Sequence, residues 1–135
     1  MNKLKGKIVA IESSEAMSIV ELDVKGDIFS AIVLETPQSA DYLCVGQEIF
    51  LLFKETEVSI AENLSGLISL RNRIKSPIKN IDSQGILTKI ILDYKGDDVV
   101  AIISSRSAKK LSLKNSEEVE WLVKATEVSL AQDLS

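Results

Sequence analysis

Lys54–Ser65 reads KETEVSIAENLS, and Lys124–Ser135 reads KATEVSLAQDLS. The two stretches lie 70 residues apart, and the same offset aligns DVKGD at 23–27 with DYKGD at 93–97. The alignment needs no gap, and roughly a third of the paired positions are identical, which indicates an internal repeat. The chain is therefore predicted to be built from two homologous units.

The 135 residues divide into a first unit at 1–64 and a second unit at 66–135. Each unit is close to the lower size limit for a domain with its own stable core. Units of this size usually gain stability by packing on one another or on another chain. We therefore expect the two units to be in contact.

Apolar and polar residues alternate within each unit, which is typical of strands with one buried face. Val20, Leu22 and Val24 alternate with Glu21 and Asp23. The first unit is predicted to hold five strands, at about 3–12, 16–24, 28–34, 47–53 and 56–61, and the second unit the same strands 70 residues later.

Two kinds of connection are predicted between these strands. The Lys25-Gly26-Asp27 segment and its counterpart at 95–97 separate apolar runs and are typical of hairpin turns. A single helical turn is predicted between the third and fourth strands, at Pro37–Leu43 and Ser107–Leu113. The pattern favours an all-β fold of two small five-stranded OB-like barrels, each with one short helical turn.

Composition excludes several classes of protein. The net charge is −4, whereas a generic nucleic-acid-binding protein carries a cationic surface, so no direct nucleic-acid binding is expected. The chain contains no run of roughly 20 apolar residues and no signal-peptide pattern, so we expect a cytoplasmic protein with no membrane span. Histidine is absent, and Cys44, interpreted as a small apolar filler, has no activating base nearby, so we expect no enzyme.

The two units differ in charge. Residues 1–65 carry a net charge of −6, and residues 66–135 carry +2. Any anion site is therefore expected mainly in the second unit, although random divergence after duplication would give the same counts.

The second unit opens with SLRNRI at 69–74, which resembles the Ser-Ala-Arg-Asn signature of the Mop (molbindin, TOBE-type) domain of molybdate-binding proteins. Further resemblances follow in order, in AIISSRS at 101–107 and KATEV at 124–128. The chain as a whole is similar to a di-Mop protein. That resemblance implies binding of molybdate or tungstate as the oxyanion, with no cofactor and no metal ligation by the protein.

The resemblance also implies a set of hydrogen-bond donors for the tetrahedral dianion. These are the side chains of Ser69, Arg71, Ser104, Ser107 and Lys124 and the backbone N–H of Ala125. Asn72 belongs to the same signature, where it is expected to hold the local backbone, and Lys54 is expected to form one wall of the site. Sites of this family lie between domains, so a homo-oligomer, a dimer or a trimer, is expected.

The first unit departs from this pattern. Met1 stands at the position of Arg71, and Leu34 and Pro37 replace the two turn hydroxyls. Glu35 lies beside them and would repel a dianion.

A structural role stays open for every candidate, because Ser104 and Ser107 are also preferred helix-capping residues and Arg71 could lie in a surface ion pair. The alternative function is a non-enzymatic OB-type module that binds protein or nucleic acid and has a degenerate anion site.

Overall fold

The computed structural model describes residues 1–132, so residues 133–135 of the predicted second unit lie outside it. The first unit consists of β1 (Asn2–Ser14), β2 (Met17–Val24), β3 (Asp27–Val33), β4 (Glu48–Phe53), the 3-10 helix η1 (Glu55–Glu57) and β5 (Ser59–Ala61). The second unit consists of β6 (Asn72–Gln84), β7 (Leu87–Tyr94), β8 (Asp97–Ser104), α1 (Ser105–Leu111), β9 (Glu118–Val123), η2 (Ala125–Glu127) and β10 (Ser129–Ala131). The mostly-β fold class predicted from the sequence is confirmed. No helix within residues 1–132 has the length and apolar character required to cross a membrane.

The predicted hairpin at Lys25 and Gly26 is confirmed. It joins β2 to β3, and both residues have positive φ, 52° and 93°, as a two-residue turn of this kind requires. The Asp23 carboxylate accepts a hydrogen bond of 2.9 Å from the Gly26 N–H. The second unit repeats the turn at 95–96, with the same bond from Gly96 to Asp93.

The predicted helical segment differs between the units. In the second unit it is the seven-residue helix α1, which begins two residues before the predicted start. In the first unit it is a single turn, in which the Ala40 N–H donates to the Thr36 carbonyl at 2.9 Å. Pro37 is the first residue of this turn, and the turn does not continue into a helix. Cys44 in the following loop is exposed, so its interpretation as an apolar filler was wrong.

The two units exchange their fifth strands. One antiparallel sheet has the order β10-β4-β1-β2-β3, and the other has the order β5-β9-β6-β7-β8. The last strand of each unit therefore completes the sheet of the other unit. In the first sheet the edge strands β10 and β3 also approach one another, so the sheet coils on itself as an OB-like fold does.

The hairpin tips of the two units meet at an approximate twofold axis. Lys25 Nζ donates to the Lys95 carbonyl at 2.9 Å, and Lys95 Nζ donates to the Lys25 carbonyl at 2.8 Å. Each lysine also pairs with the carboxylate of the opposite hairpin, Asp97 or Asp27. Equivalent residues make reciprocal contacts, as in a symmetric dimer.

One hydrophobic core spans both units. Trp121 of the second unit is fully buried and lies against Phe29 and Phe53 of the first unit and Tyr94 of its own. Its ring centroid is 5.6–5.9 Å from those of the three other rings. Because four of the few aromatic residues meet here, the two units are not independent in stability.

Candidate oxyanion-binding site

Two cationic residues lie at the end of the second sheet where β6 begins and β9 ends. Asn72 pairs with Val123 in the β6–β9 register, so Arg71 and Lys124 flank that pair at the same end of the sheet. Both are exposed, and neither forms an ion pair with another residue within 1–132. Ser69 precedes them in the exposed connection between the units. These exposed donors can bind an anion without first breaking an internal contact.

Lys124 is followed by the 3-10 helix η2, in which Ala125 is buried. Within this segment the positive charge of Lys124 acts to lower the pKa of Glu127, but other contacts outweigh it. The hydrogen bond that protonated Glu127 donates to the Glu57 carboxylate, burial and the Glu57 charge together raise the Glu127 pKa above its ordinary value. Glu127 is also the acidic residue closest in sequence to Lys124, the candidate oxyanion ligand.

Asn72 is fully buried and connects the two units. Its Oδ1 accepts a hydrogen bond of 2.6 Å from the Ser30 N–H, and its Nδ2 donates to the Ser30 carbonyl at 2.8 Å. Asn2, its counterpart in the first unit, makes the same pair of bonds to Val100. Both polar atoms of Asn72 are therefore used to hold β3, which agrees with a backbone-fixing role.

The serine side chains lie at the start of α1. Ser104 is the N-cap, and its Oγ accepts a hydrogen bond of 3.0 Å from the Ser107 N–H. The two hydroxyls also bond to each other at 2.9 Å, and both are exposed. Ser105, which lies between them, is held by Thr88 and by the Gly85 carbonyl at 2.8 Å each. The bonds of Ser105 to Thr88 and Gly85 therefore hold the turn in place, while the Ser104 and Ser107 hydroxyls face solvent.

An open groove of about 450 Å³ joins this turn to the closing segment of the first unit. Its polar lining comprises Ser104, Ser107 and Lys110 on one side and Thr56 and Ser59 on the other. The 3-10 helix η1, which follows the exposed Lys54, packs against β8 and brings the segment here. Sequence reasoning missed Thr56 and Ser59, although both are identical in the two repeats, and it missed Lys110.

The predicted donors form two groups within one chain. Ser104, Ser107 and Lys54 belong to the side on which η1 packs against β8. Arg71 and Lys124 belong to the other side, because Asn72 bonds to β3 and η2 packs against β3. The exchange of the fifth strands causes this division, since it places the end of each unit beside the third strand of the other.

The model of the TOBE domain matches residues 1–60 and again residues 68–130. The chain belongs to the TOBE-domain family. A crystal structure of the cytoplasmic molybdate-binding protein ModG, in a form with molybdate bound, superposes with a TM-score of 0.91 at 23% identity, over 98% of this chain and 96% of that chain. At this identity the likeness is one of fold.

A molybdate-binding protein from Sporomusa ovata is 39% identical over 47% of this chain and 96% of its own, with a TM-score of 0.46. No match was found among curated proteins.

The first TOBE unit has a different surface at the turn after its third strand. Leu34 stands at the position of Ser104 and is 79% exposed. The neighbouring Glu35 carboxylate accepts a hydrogen bond from the Tyr42 hydroxyl. Burial, that bond and the charge of Glu35 together raise the pKa of Tyr42 to about 12. This turn offers an apolar side chain and a carboxylate where the second TOBE unit offers two hydroxyls.

A second hollow of the tandem TOBE fold is acidic. It has a volume of about 260 Å³, and its charged lining is Glu62, Glu117, Glu118, Glu120 and Lys75. Burial, followed by the charge and hydrogen bond of Glu117, raises the pKa of Glu62. Four carboxylates make this hollow unsuitable for a dianion. Within residues 1–132, these carboxylates included, no three His, Cys, Asp or Glu side chains are arranged so that they could hold a metal ion.

Proposed function

We propose that this tandem TOBE protein binds molybdate or tungstate as the intact oxyanion and serves cytoplasmic molybdenum homeostasis, as a store, a buffer or a sensor. The observation that carries the proposal is the pair of exposed cations, Arg71 and Lys124, at the end of the β6–β9 ladder. They lie in the unit with net positive charge and have no acidic ion-pair partner within residues 1–132. The ModG likeness in fold and the SLRNRI resemblance agree with this function.

The ligand is a tetrahedral dianion with four acceptor oxygens, so it is bound best by donors that converge from several directions. In this proposal Ser69, Arg71, Lys124 and the Ala125 N–H supply one part of the set. Ser104 and Ser107 supply hydroxyls, and Lys54 forms a wall. The oxyanion is held by hydrogen bonds and charge, with no covalent chemistry, no cofactor and no enzymatic step.

The division of donors within one chain favours a homo-oligomer, a dimer or a trimer. A single copy has Arg71 and Lys124 on one side and Ser104 and Ser107 on the other. A neighbouring copy that presents its serine turn to the cationic pair would complete the set. Residues of both units, 1–64 and 66–135, then contribute to oxyanion sites that lie between copies of the chain.

Calorimetric titration of the full chain with sodium molybdate tests the proposal. Arg71→Ala should weaken binding about 10- to 100-fold, because charge-assisted hydrogen bonds contribute about 1.5–3 kcal/mol. Lys3→Ala is the control in the first unit, since Lys3 lies over the Phe50 ring at 4.1 Å and is not one of the predicted donors. Equal affinities for the two variants would refute the assignment of the site to Arg71.

Competition between anions tests the chemistry of the site. Molybdate and tungstate should bind tightly, sulfate weakly and phosphate least. Phosphate keeps a proton at neutral pH, and burying that proton without an acceptor costs about 1–3 kcal/mol. EDTA should have no effect. Displacement of molybdate by phosphate as effective as by tungstate would contradict a donor-lined site, and so would loss of binding in EDTA.

A further inference from the structure

The connecting loop (residues 65–71) leads from the first unit into β6 and has few contacts of its own. Its residues 65–69 are all exposed. Leu67 is fully exposed and Ile68 is 43% exposed, so these side chains do not hold the loop by packing. Within residues 1–132, no residue of the loop takes part in a hydrogen bond. The conformation of the loop therefore depends on how its two ends are held.

Arg73 joins the two ends of the connecting loop. Its Nη2 atom donates to the Leu64 carbonyl at 2.9 Å, so the residue before the loop is bonded to a residue after it. Glu120 of β9 fixes the same guanidinium, accepting from Nε at one oxygen and from Nη2 at the other, the latter at 3.1 Å. Asn72, which lies between the loop and Arg73, is held by its bonds to β3.

The pair of Arg73 and Glu120 is partly shielded from water. Their side chains are 28% and 11% exposed, so solvent weakens the pair less than it weakens an ion pair at the surface. A planar guanidinium presents several N–H groups in a fixed geometry, which suits simultaneous bonds to a carboxylate and a carbonyl. The pair therefore gives the Leu64 carbonyl a fixed partner.

The first unit has a different contact at these positions. Lys3 and Phe50 are the counterparts of Arg73 and Glu120, and the Lys3 amine lies 4.1 Å from the centroid of the Phe50 ring. No carboxylate orients that amine from position 50. The arginine and glutamate thus occur in the unit whose first strand follows the connecting loop.

We propose that Arg73 is a positioning residue for oxyanion binding, because it closes the connecting loop and so places Ser69 and Arg71 for the anion. The inference rests on the proposed function, since Ser69 and Arg71 are the candidate donors that the loop carries. A loop that is already fixed at both ends loses less conformational entropy when its side chains bind a ligand. Arg73 therefore strengthens binding through the loop, with no bond of its own to the anion.

Calorimetric titration of the full chain with sodium molybdate measures the contribution of Arg73. Arg73→Lys keeps the charge, but a single amine cannot replace the fork that joins Glu120 to the Leu64 carbonyl, so binding should weaken about 5- to 20-fold. Glu120→Gln leaves the bond to Leu64 possible and should weaken binding less, about 2- to 5-fold. Lys75→Gln is the control, because it removes an exposed positive charge from β6 without touching Leu64, and it should change the affinity less than about 2-fold.

A double-mutant cycle separates positioning from a general loss of stability. In a chain that carries Arg71→Ala, Arg73→Lys should weaken binding less than about 3-fold, because the main donor of the loop is already gone. Nitrogen-15 relaxation of the backbone amides at 65–71 should also give lower order parameters in Arg73→Lys than in Lys75→Gln and the wild type. A role in stability alone would lower the free energy of unfolding, with additive effects on affinity and unchanged order parameters.

The proposal is overturned if Arg73→Lys binds molybdate as tightly as Lys75→Gln, if the cycle is additive, or if the order parameters do not change. Wild-type binding with an unaffected Arg73→Lys variant removes only the positioning role. A wild type that does not bind molybdate removes the proposed function and the role of Arg73 in it. Lower order parameters in Arg73→Lys would then still show that Arg73 closes the loop, and unchanged ones would remove that contact as well.

Discussion

The two units keep the same framework and differ in the chemistry at its edge. Asn2 and Asn72 make the same pair of bonds across the exchange, to Val100 and Ser30. The turn after the third strand, in contrast, has Leu34 in the first unit and Ser104 in the second. Contacts that join the units resist change because the asparagines that make them are buried, whereas an exposed turn is free to diverge.

The two units also differ at a pair of core positions whose residues contact each other within each unit. Gly6 has no room for a side chain, since an added Cβ would lie 2.9 Å from Val24 Cγ2 and 3.0 Å from Leu51 Cδ1. At the equivalent positions the second unit has Ser76 and Trp121, whose indole N–H donates to the Ser76 hydroxyl at 2.9 Å. The second unit therefore supplies the large aromatic centre of a core that the first unit alone lacks.

The largest expected effect is on the first unit expressed alone as residues 1–65. In the full chain β10 covers the edge of β4, and an isolated first unit loses this strand and Trp121. We expect no folded monomer, only an unfolded chain or a dimer that exchanges β5. Sedimentation and circular dichroism check this, and a monomer that unfolds cooperatively would contradict the shared core.

Asn72→Ala should lower the free energy of unfolding by about 2–4 kcal/mol, because it leaves the buried N–H and carbonyl of Ser30 unpaired. Asn2→Ala removes the equivalent bonds to Val100 in the first unit. Its loss of unfolding free energy is expected to be slightly smaller than that of Asn72→Ala, because Asn2 is 4% exposed and Asn72 is 0% exposed. Denaturant unfolding measures both, with the exposed Asn80→Ala as the control. A loss no greater than that of Asn80→Ala would show that the bonds across the exchange are dispensable.

Tyr94→Phe should cost about 1–2 kcal/mol at neutral pH. The Tyr94 hydroxyl lies 2.8 Å from the Val24 carbonyl oxygen and 2.7 Å from Asp27 Oδ2, and its single proton is shared between these two acceptors. The first unit cannot return this link, because it has Val24 at the equivalent position.

Burial, followed by the hydrogen bond and charge of Asp27, raises the Tyr94 pKa. The contribution of the hydroxyl is thus complete below the ordinary tyrosine pKa of about 10 and is lost as pH rises further. Unfolding of wild type and variant between pH 7 and 11 should show the two curves converging, and parallel curves would argue against this assignment.

Glu127→Gln should have the smallest effect, a slight gain in melting temperature at pH 7. The hydrogen bond that protonated Glu127 donates to its counterpart Glu57, then burial and the Glu57 charge, raise the Glu127 pKa. The stabilisation by protonated Glu127 is fully present below the ordinary glutamate pKa of about 4.3. It is lost as the pH rises through the pKa of Glu127 in the folded protein.

The gain from Glu127→Gln should therefore disappear near pH 4. Glu120→Gln is the opposite control, since the hydrogen bond and charge of Arg73 lower the Glu120 pKa and the variant removes a favourable ion pair. A loss of stability in both variants would mean that Glu57 and Glu127 do not repel one another.

The sequence by itself determined the repeat, the first four strands of each unit and the hairpin turns, because these depend on local chemistry. The fifth strand predicted at 56–61 was partly wrong, since residues 55–57 form η1 and only Ser59–Ala61 is a strand. Alternation over Val20–Val24 shows which face of β2 is buried, and the Lys25-Gly26 pair suits the positive φ of its turn. The SLRNRI segment at 69–74 carried the family resemblance only together with AIISSRS at 101–107, KATEV at 124–128 and the tandem repeat, and the TOBE matches confirm it.

Only the tertiary structure decided how the two units are joined. The strands β5 (Ser59–Ala61) and β10 (Ser129–Ala131) have three residues each and nearly the same sequence, so either could complete either sheet without changing the local pattern. The choice depends on nonlocal packing around Trp121 and on the bonds of Asn72 across the units. The same exchange places Ser104 and Arg71 on different sides of one chain, a separation that spacing along the sequence could not reveal.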